Sequence, residues 1–453
     1  MKSGFSFFTF SMFLIFVILL TYSCSENPVE SIDLLERIES LPGISVIEIA
    51  PTNNFESQFE INITQPLDHN NPNGTQFTQK LYLWHRDISA PVVLLPSGYT
   101  CEPPAYLNEL TEALNANQLR IGHRFMAGAE PNPMDWQFLT EEQNANDVHR
   151  VVALFKDIYT GKWISTGGSK NGMTALFHKR FFPDDVDATV TLYTPMPTGT
   201  EDPRFDNFLN EVGTAEQRDA LKDFQRMVLE MRLYILPRLR NFINNSEYNF
   251  SLSPEIILEL EVCEFPFGFW QNFTFEEITL PPRGSTPDEV YNFMTNLWGW
   301  DYYSDEIIEF FSPVYCQAYT ELGWYRLIND HLTDLLVADP APSYSNYFTP
   351  PNVELNYDPS VMQNTISWLQ SEGNNIIYIY GENDPWTAAA VELTGLTNAL
   401  KIVQPEANHV LRISELDNPE IVYSSLENWL NIDIDWAVSV GIHSYNKDRF
   451  DDY

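Results

Sequence analysis

Basic residues are scarce: 25 Lys and Arg face 63 Asp and Glu, for a net charge of −38 over 453 residues. A surface that acidic repels nucleic acid and anionic membrane, so neither is an expected partner. It suits a solubilising coat on an exported protein, and it attracts cationic ligands such as free amino termini. Cysteine is equally thin, at 4 residues, and no Cys-x-x-Cys or clustered Cys/His spacing occurs. No metal is expected on that pattern, and no organic cofactor is implied. Cys101, Cys263 and Cys316 are an odd number; Cys263 with Cys316, in one middle segment, is the expected disulfide pair.

Long apolar runs are also missing, apart from Phe5 to Leu20 behind the single charge of Lys2. That run is short for a spanning helix, so residues 1–24 read as an export signal. Ser23-Cys24 followed by polar residues fits a lipobox loosened by the bulky Tyr22. The expected location is the periplasm or cell surface, with lipid on Cys24; ordinary secretion is the alternative.

Apolar and aromatic residues are plentiful, at 44% and 14%, which predicts a well-filled core. The length accommodates one large α/β domain plus a second unit. Three β-type runs (Ile44–Ile49, Gln58–Ile63 and Gln76–Trp84) lead into alternating strands and helices from Val92 to Tyr193, with one strand expected over Arg120–Phe125. From about Thr200 to Tyr347 the chain turns helical, with runs at Phe205–Val212, Ala215–Leu239 and Pro254–Glu264. Strand patterns resume at Ile376–Tyr380 and Ala399–Val403, and a helix closes at Pro419–Leu430. The expected organisation is an α/β-hydrolase fold in two parts, residues 25–199 and 350–453, with a helical cap over residues 200–349.

Trp163 to Gly168 is an apolar run ending in Gly-Gly before Ser169, and a helix-compatible stretch follows directly. Strand, tight turn and helix in that order make a nucleophile elbow, which lifts a serine hydroxyl clear of the sheet. Asn171 stands where the second glycine of the usual pattern belongs. The oxyanion donors expected are the backbone N–H of Lys170 and one from the loop after Pro91–Pro96, at Gly98 or Tyr99. In this fold the acid and base follow in chain order, each at a strand end. Asp384 follows a strong β run in Gly381-Glu382-Asn383-Asp384-Pro385-Trp386, with Glu382 as its rival. His409 lies in the loop after the next strand; His443, the other histidine beyond Asp384, is in the polar tail. Ser169, Asp384 and His409 are thus the expected nucleophile, acid and base. Such a triad also serves carboxylesterases and lipases. With Asn171 in the elbow, a third reading is an inactive surface protein that binds peptides.

Gly167-Gly168-Ser169-Lys170 together with Phe181-Phe182-Pro183-Asp184-Asp185-Val186-Asp187 resembles the bacterial secreted tripeptidyl aminopeptidases (prolyl tri/tetrapeptidyl aminopeptidases). So do His123-Arg124-Phe125, Pro133-Met134-Asp135-Trp136, Asp147-Val148-His149-Arg150 and Gly381 to Trp386. The likeness runs through Phe269-Trp270-Gln271 and Thr320-Glu321-Leu322-Gly323, and reaches the prolyl carboxypeptidases distantly. It implies a serine exopeptidase that takes short, often proline-ending peptides off free N termini. It departs from the family pattern at Asn171, Met126, Ala129, Glu130 and Gln217, which puts substrate preference in doubt. An enzyme of this type must hold an ammonium at a fixed distance from the serine, and a cap carboxylate is the physical solution. Glu321 and Glu264 are the candidates, and Trp386 is the candidate pocket wall. Phe265, Phe267, Phe269, Trp270 and Trp324 read as core at helical spacing, with the lining of a proline pocket as the alternative. His123-Arg124 and Asp147-His149-Arg150 read as ion pairs beneath the site.

Overall fold

The computed structural model describes residues 34–51, 55–102 and 107–434. The signal segment with Cys24 and the tail with His443 lie outside those residues. Among the described residues no helix is long and apolar enough to cross a membrane.

After helix α1 (Leu34–Glu39), strands β1 (Ile44–Ile49), β2 (Ser57–Pro66) and β3 (Gln76–His85) form an antiparallel meander, with Ile61 opposite both Val46 and Leu81. Alternation then sets in: β4 (Val92–Pro96), α2 (Glu109–Ala113), β5 (Asn117–Ile121), α3 (Glu141–Phe155), β6 (Trp163–Gly168), α4 (Ser169–Phe181) and β7 (Ala188–Leu192). The chain leaves the sheet for α5 (Pro203–Glu211), α6 (Ala215–Glu230), α7 (Arg232–Asn245), α8 (Pro254–Asn272), α9 (Pro287–Leu297) and α10 (Asp305–Gln317). It returns through α11 (Pro359–Ser371), β8 (Ile376–Gly381), β9 (Leu400–Gln404) and α12 (Glu420–Leu430).

The nine strands form one sheet in the order β1-β2-β3-β5-β4-β6-β7-β8-β9. From β5 to β9 every pair is parallel, and β3 joins β5 antiparallel. Strands covered on both faces read as unbroken apolar runs, and every residue of β7 and β8 is buried. On one face Val93, Ile164, Val190 and Ile379 pack under Val422 and Leu426 of α12. On the other, Val92 and Leu94 meet Val148 and Val151 of α3, while Tyr378 meets Phe177 of α4 and Met362 of α11. This is the α/β-hydrolase fold.

The helices between β7 and β8 carry a core of their own. Phe224, Leu258, Phe265, Phe269 and Trp300 are buried there, and the cluster continues into Trp386 and Ala389 beside β8. Three expectations need correction. The helix expected over Ala215–Leu239 is two, with the chain turning at Met231. Pro237, which cannot donate to Leu233, falls in the opening turns of the second. The strand expected around Arg120–Phe125 stops at Ile121. Cys263 and Cys316 are both free thiols, because they belong to separate clusters. Cys263 is in the core of the helical insert, and Cys316 packs against Leu67, Phe125 and Leu139. Burial pushes the Cys316 thiol up to about 12, so it stays protonated.

Candidate active site

Gly168 ends β6 extended, and Ser169 begins α4 with φ +52°, a left-handed conformation that a non-glycine residue adopts only under constraint. A Cβ on Gly168 would sit 2.4 Å from the Tyr193 ring, so the turn closes only without a side chain there. The same Tyr193 ring lies 4.4 Å, centroid to centroid, from His409. Tyr193 thus brings the elbow and the histidine loop onto one residue.

Asp384 is fully buried just past β8 and His409 nearly so past β9. His409 Nδ1 is 2.8 Å from Asp384 Oδ2, while Asp384 Oδ1 accepts from the Trp386 amide at 3.1 Å. The carboxylate is thereby aimed, and it holds the imidazole with Nε2 on the far side. Nε2 is buried and has no hydrogen-bond partner among the described residues. The rival Glu382 is exposed and accepts from the Glu406 amide instead. From the helical insert, Gln271 closes this corner: its carbonyl accepts from the His409 amide at 3.0 Å, and its Oε1 from Trp386 Nε1 at 3.1 Å.

In the loop after β4, the Tyr99 amide donates to Ser97 Oγ at 3.0 Å. The Gly98 amide donates to Asn171 Oδ1 at 2.6 Å. The side chain of Tyr99 turns inward, and its hydroxyl comes within interaction range of the Ser169 side chain. The other expected donor, the Lys170 amide, is in the first turn of α4, where Gly168 supplies no side-chain cap.

Lys170 itself is buried, its Nζ 3.9 Å from Glu141 Oε1 and without a hydrogen-bond partner among the described residues. Burial lowers its pKa against the pull of Glu141 and Glu321. Burial also opposes the charge of Glu141, but Lys170 and His123 outweigh it and hold that carboxyl below its usual value. Glu321 joins this group: its Oε2 accepts from the Glu141 amide at 2.8 Å, at the start of α3. Burial raises it to about 8. Alongside, Arg124 and Asp147 form a fully buried pair at 2.7 Å, joined by His69. His149 pairs instead with Asp185, and Arg150 donates to Thr64 and Gln65.

Glu264 lies elsewhere, on α8 inside the insert. The residue is partly exposed, yet its Oε2 is sealed from solvent and unpartnered, while Oε1 accepts from the Tyr325 hydroxyl at 2.8 Å. Desolvation raises it to about 8. A line of rings joins it to the histidine: Tyr325 is 5.3 Å from Trp386, and Trp386 is 6.3 Å from His409. Trp324 packs 5.1 Å from Trp386. Glu261, one turn earlier, was not singled out from sequence. It is buried, accepts from the Tyr303 hydroxyl at 2.9 Å, keeps Oε1 unpartnered and is raised by burial to about 7. The signal was present as Glu261 and Glu264 at helical spacing on α8, a helix that also carries Glu255 and Glu259.

The fold and this arrangement agree with what the chain resembles. Residues 27–431 match the family model described as PS-10 peptidase S37. A prolyl tri/tetrapeptidyl aminopeptidase of Streptomyces mobaraensis is 30% identical over 391 residues, spanning 85% of this chain and 82% of that one. Among solved structures, the carboxypeptidase Kex1(delta)p of Saccharomyces cerevisiae aligns at 12% identity and TM-score 0.40, over 84% of this chain and 94% of that one. The proline iminopeptidase of Mycobacterium smegmatis aligns at 11% identity and TM-score 0.38, over 82% and 97%. The chain belongs to the PS-10 peptidase S37 family and is a serine peptidase.

Proposed function

We propose that this peptidase releases short peptides, chiefly tripeptides with proline preferred at their end, from free N termini, using Ser169, His409 and Asp384. Ser169 Oγ bonds to the scissile carbonyl carbon as His409 Nε2 takes its proton, and the carbonyl π pair moves onto oxygen. Asp384 keeps the imidazole in the right tautomer and stabilises its charge. Collapse breaks the C–N bond, and the leaving amine takes the proton from His409. Water then repeats the sequence on the ester and frees the N-terminal fragment.

The observation that carries the exopeptidase part is Glu264, a carboxyl with one sealed, unpartnered oxygen, reached from His409 across Trp386 and Tyr325. A buried ammonium needs an anionic partner, and aromatic faces add about 0.5–2 kcal/mol. The carboxyl near 8 and a peptide amine, itself near 8, are matched, so an amine arriving in its neutral form takes the carboxyl proton and leaves an ammonium–carboxylate pair. Glu321 is the weaker candidate, since its Oε2 already serves α3. We also propose export with lipid on Cys24, which loss of lipid labelling in Cys24→Ser would establish.

Mass spectrometry of proline-containing peptides, each offered with free and acetylated N termini, tests the reading. Tripeptides from the free form alone are expected; equal cleavage of both forms rules out the ammonium lock.

A further inference from the structure

Three features around the elbow fit together. Both amides of the β4 loop that could face a reacting carbonyl are engaged, Gly98 with Asn171 Oδ1 and Tyr99 with Ser97 Oγ. The loop is pressed against the elbow so closely that a Cβ on Gly98 would sit 2.8 Å from the Lys170 carbonyl carbon. The Tyr99 ring is clamped between Met126 and Val314, with Phe311 edge-on at 6.4 Å, and its hydroxyl meets Ser169.

We propose that the Tyr99 hydroxyl is the second hydrogen-bond donor to the oxyanion formed at Ser169, and that Asn171 is a positioning residue that commits the Gly98 amide elsewhere. The inference rests on the reading of Ser169 as nucleophile. As Ser169 Oγ bonds to the carbonyl carbon and yields its proton to His409 Nε2, the Tyr99 O–H swings from Ser169 to the new oxyanion and keeps its own proton. The phenol is suited to that: burial, then the Tyr302 hydroxyl, push its pKa up, so it donates without ionising. A preorganised donor placed where charge develops acts on the transition state more than on the bound substrate. The departure from glycine at position 171 then has a use, since a glycine there would leave the Gly98 amide unclaimed.

The test compares Tyr99→Phe, Asn171→Gly and the double variant in the full chain, by kcat and KM on a free N-terminal peptide and by the rate at which a fluorophosphonate labels Ser169. Tyr99→Phe is expected to lower kcat and the labelling rate about 100-fold with KM within about twofold. Adding Asn171→Gly is expected to recover about tenfold of that loss, because the freed Gly98 amide replaces the phenol. A loss under about threefold, or a double variant no better than Tyr99→Phe, overturns the proposal. If Tyr99→Phe melts early, fluorotyrosine at position 99 replaces it; a kcat indifferent to phenol acidity is then the overturning result. Should the wild-type chain label with the probe yet release no tripeptide, the exopeptidase reading fails, while the labelling rates still decide on Tyr99.

Discussion

Two carboxyls, Glu321 beneath the elbow and Glu264 in the helical insert, are both lifted to about 8 by burial. Their surroundings differ. Glu321 faces the start of α3 and shares its region with Lys170, Glu141 and His123, so its oxygen serves an amide of the fold. Glu264 accepts from Tyr325, whose ring packs on Trp386 and through it on Trp324, and its Oε2 is sealed from solvent with no hydrogen bond among the described residues. A raised pKa therefore does not separate a structural acid from a ligand-binding one. The groups that surround each carboxyl do.

The sheet-side machinery is common to every substrate, so its loss should be blind to the N terminus. Asp384→Asn keeps the packing at Trp386 but favours the wrong tautomer of His409. It should lower kcat on the order of 10⁴-fold for free and acetylated peptides and for small esters alike. Substrate-dependent loss would detach Asp384 from the chemistry. Glu264→Gln should act selectively: kcat/KM for free N-terminal peptides falls about 10- to 100-fold, mostly through KM, with acetylated peptides unaffected. If both peptide forms suffer equally, Glu264 belongs to the insert's packing and the comparison collapses.

Much of the sheet side is legible in the sequence because its signals are local. Trp163–Gly168 before Ser169, Ile376–Gly381 before Asp384 and Leu400–Gln404 before His409 are each a strand run followed by its loop. What sequence could not convey depends on partners far along the chain. The Gly98 amide is claimed by Asn171, 73 residues away, and Glu321 by Glu141, 180 residues away. Neither periodicity nor spacing registers such contacts, so the partners of the Gly98 and Tyr99 amides are not legible in the sequence. The choice between Glu264 and Glu321 was open for the same reason.

Stability against pH is a milder probe of both acids. Each folded carboxyl, near 8 against an ordinary 4.5, holds its proton more tightly than the unfolded chain does. The unfolded state therefore binds fewer protons between those values, and stability falls as pH rises from about 4.5 towards 8. Melting temperatures at pH 5 and pH 8 should show that fall, and Glu264→Gln and Glu321→Gln should each flatten it. A slope unchanged in Glu264→Gln would mean that its carboxyl titrates normally.

The smallest expected effect is the sharpest discriminator. At pH 7 a Glu321 carboxyl raised to about 8 is mostly protonated, and a neutral acid and an amide have nearly the same shape and hydrogen-bonding reach. In Glu321→Gln the carboxamide oxygen can still accept from the Glu141 amide, so the start of α3 keeps its partner and Lys170 keeps Glu141. Activity on free and acetylated peptides should stay within about twofold of wild type, with KM unmoved, as for a conservative change away from the reacting atoms. A KM rise confined to free N termini would instead put the ammonium beneath the elbow. Glu264 would then be the structural acid, and the two regions would exchange roles.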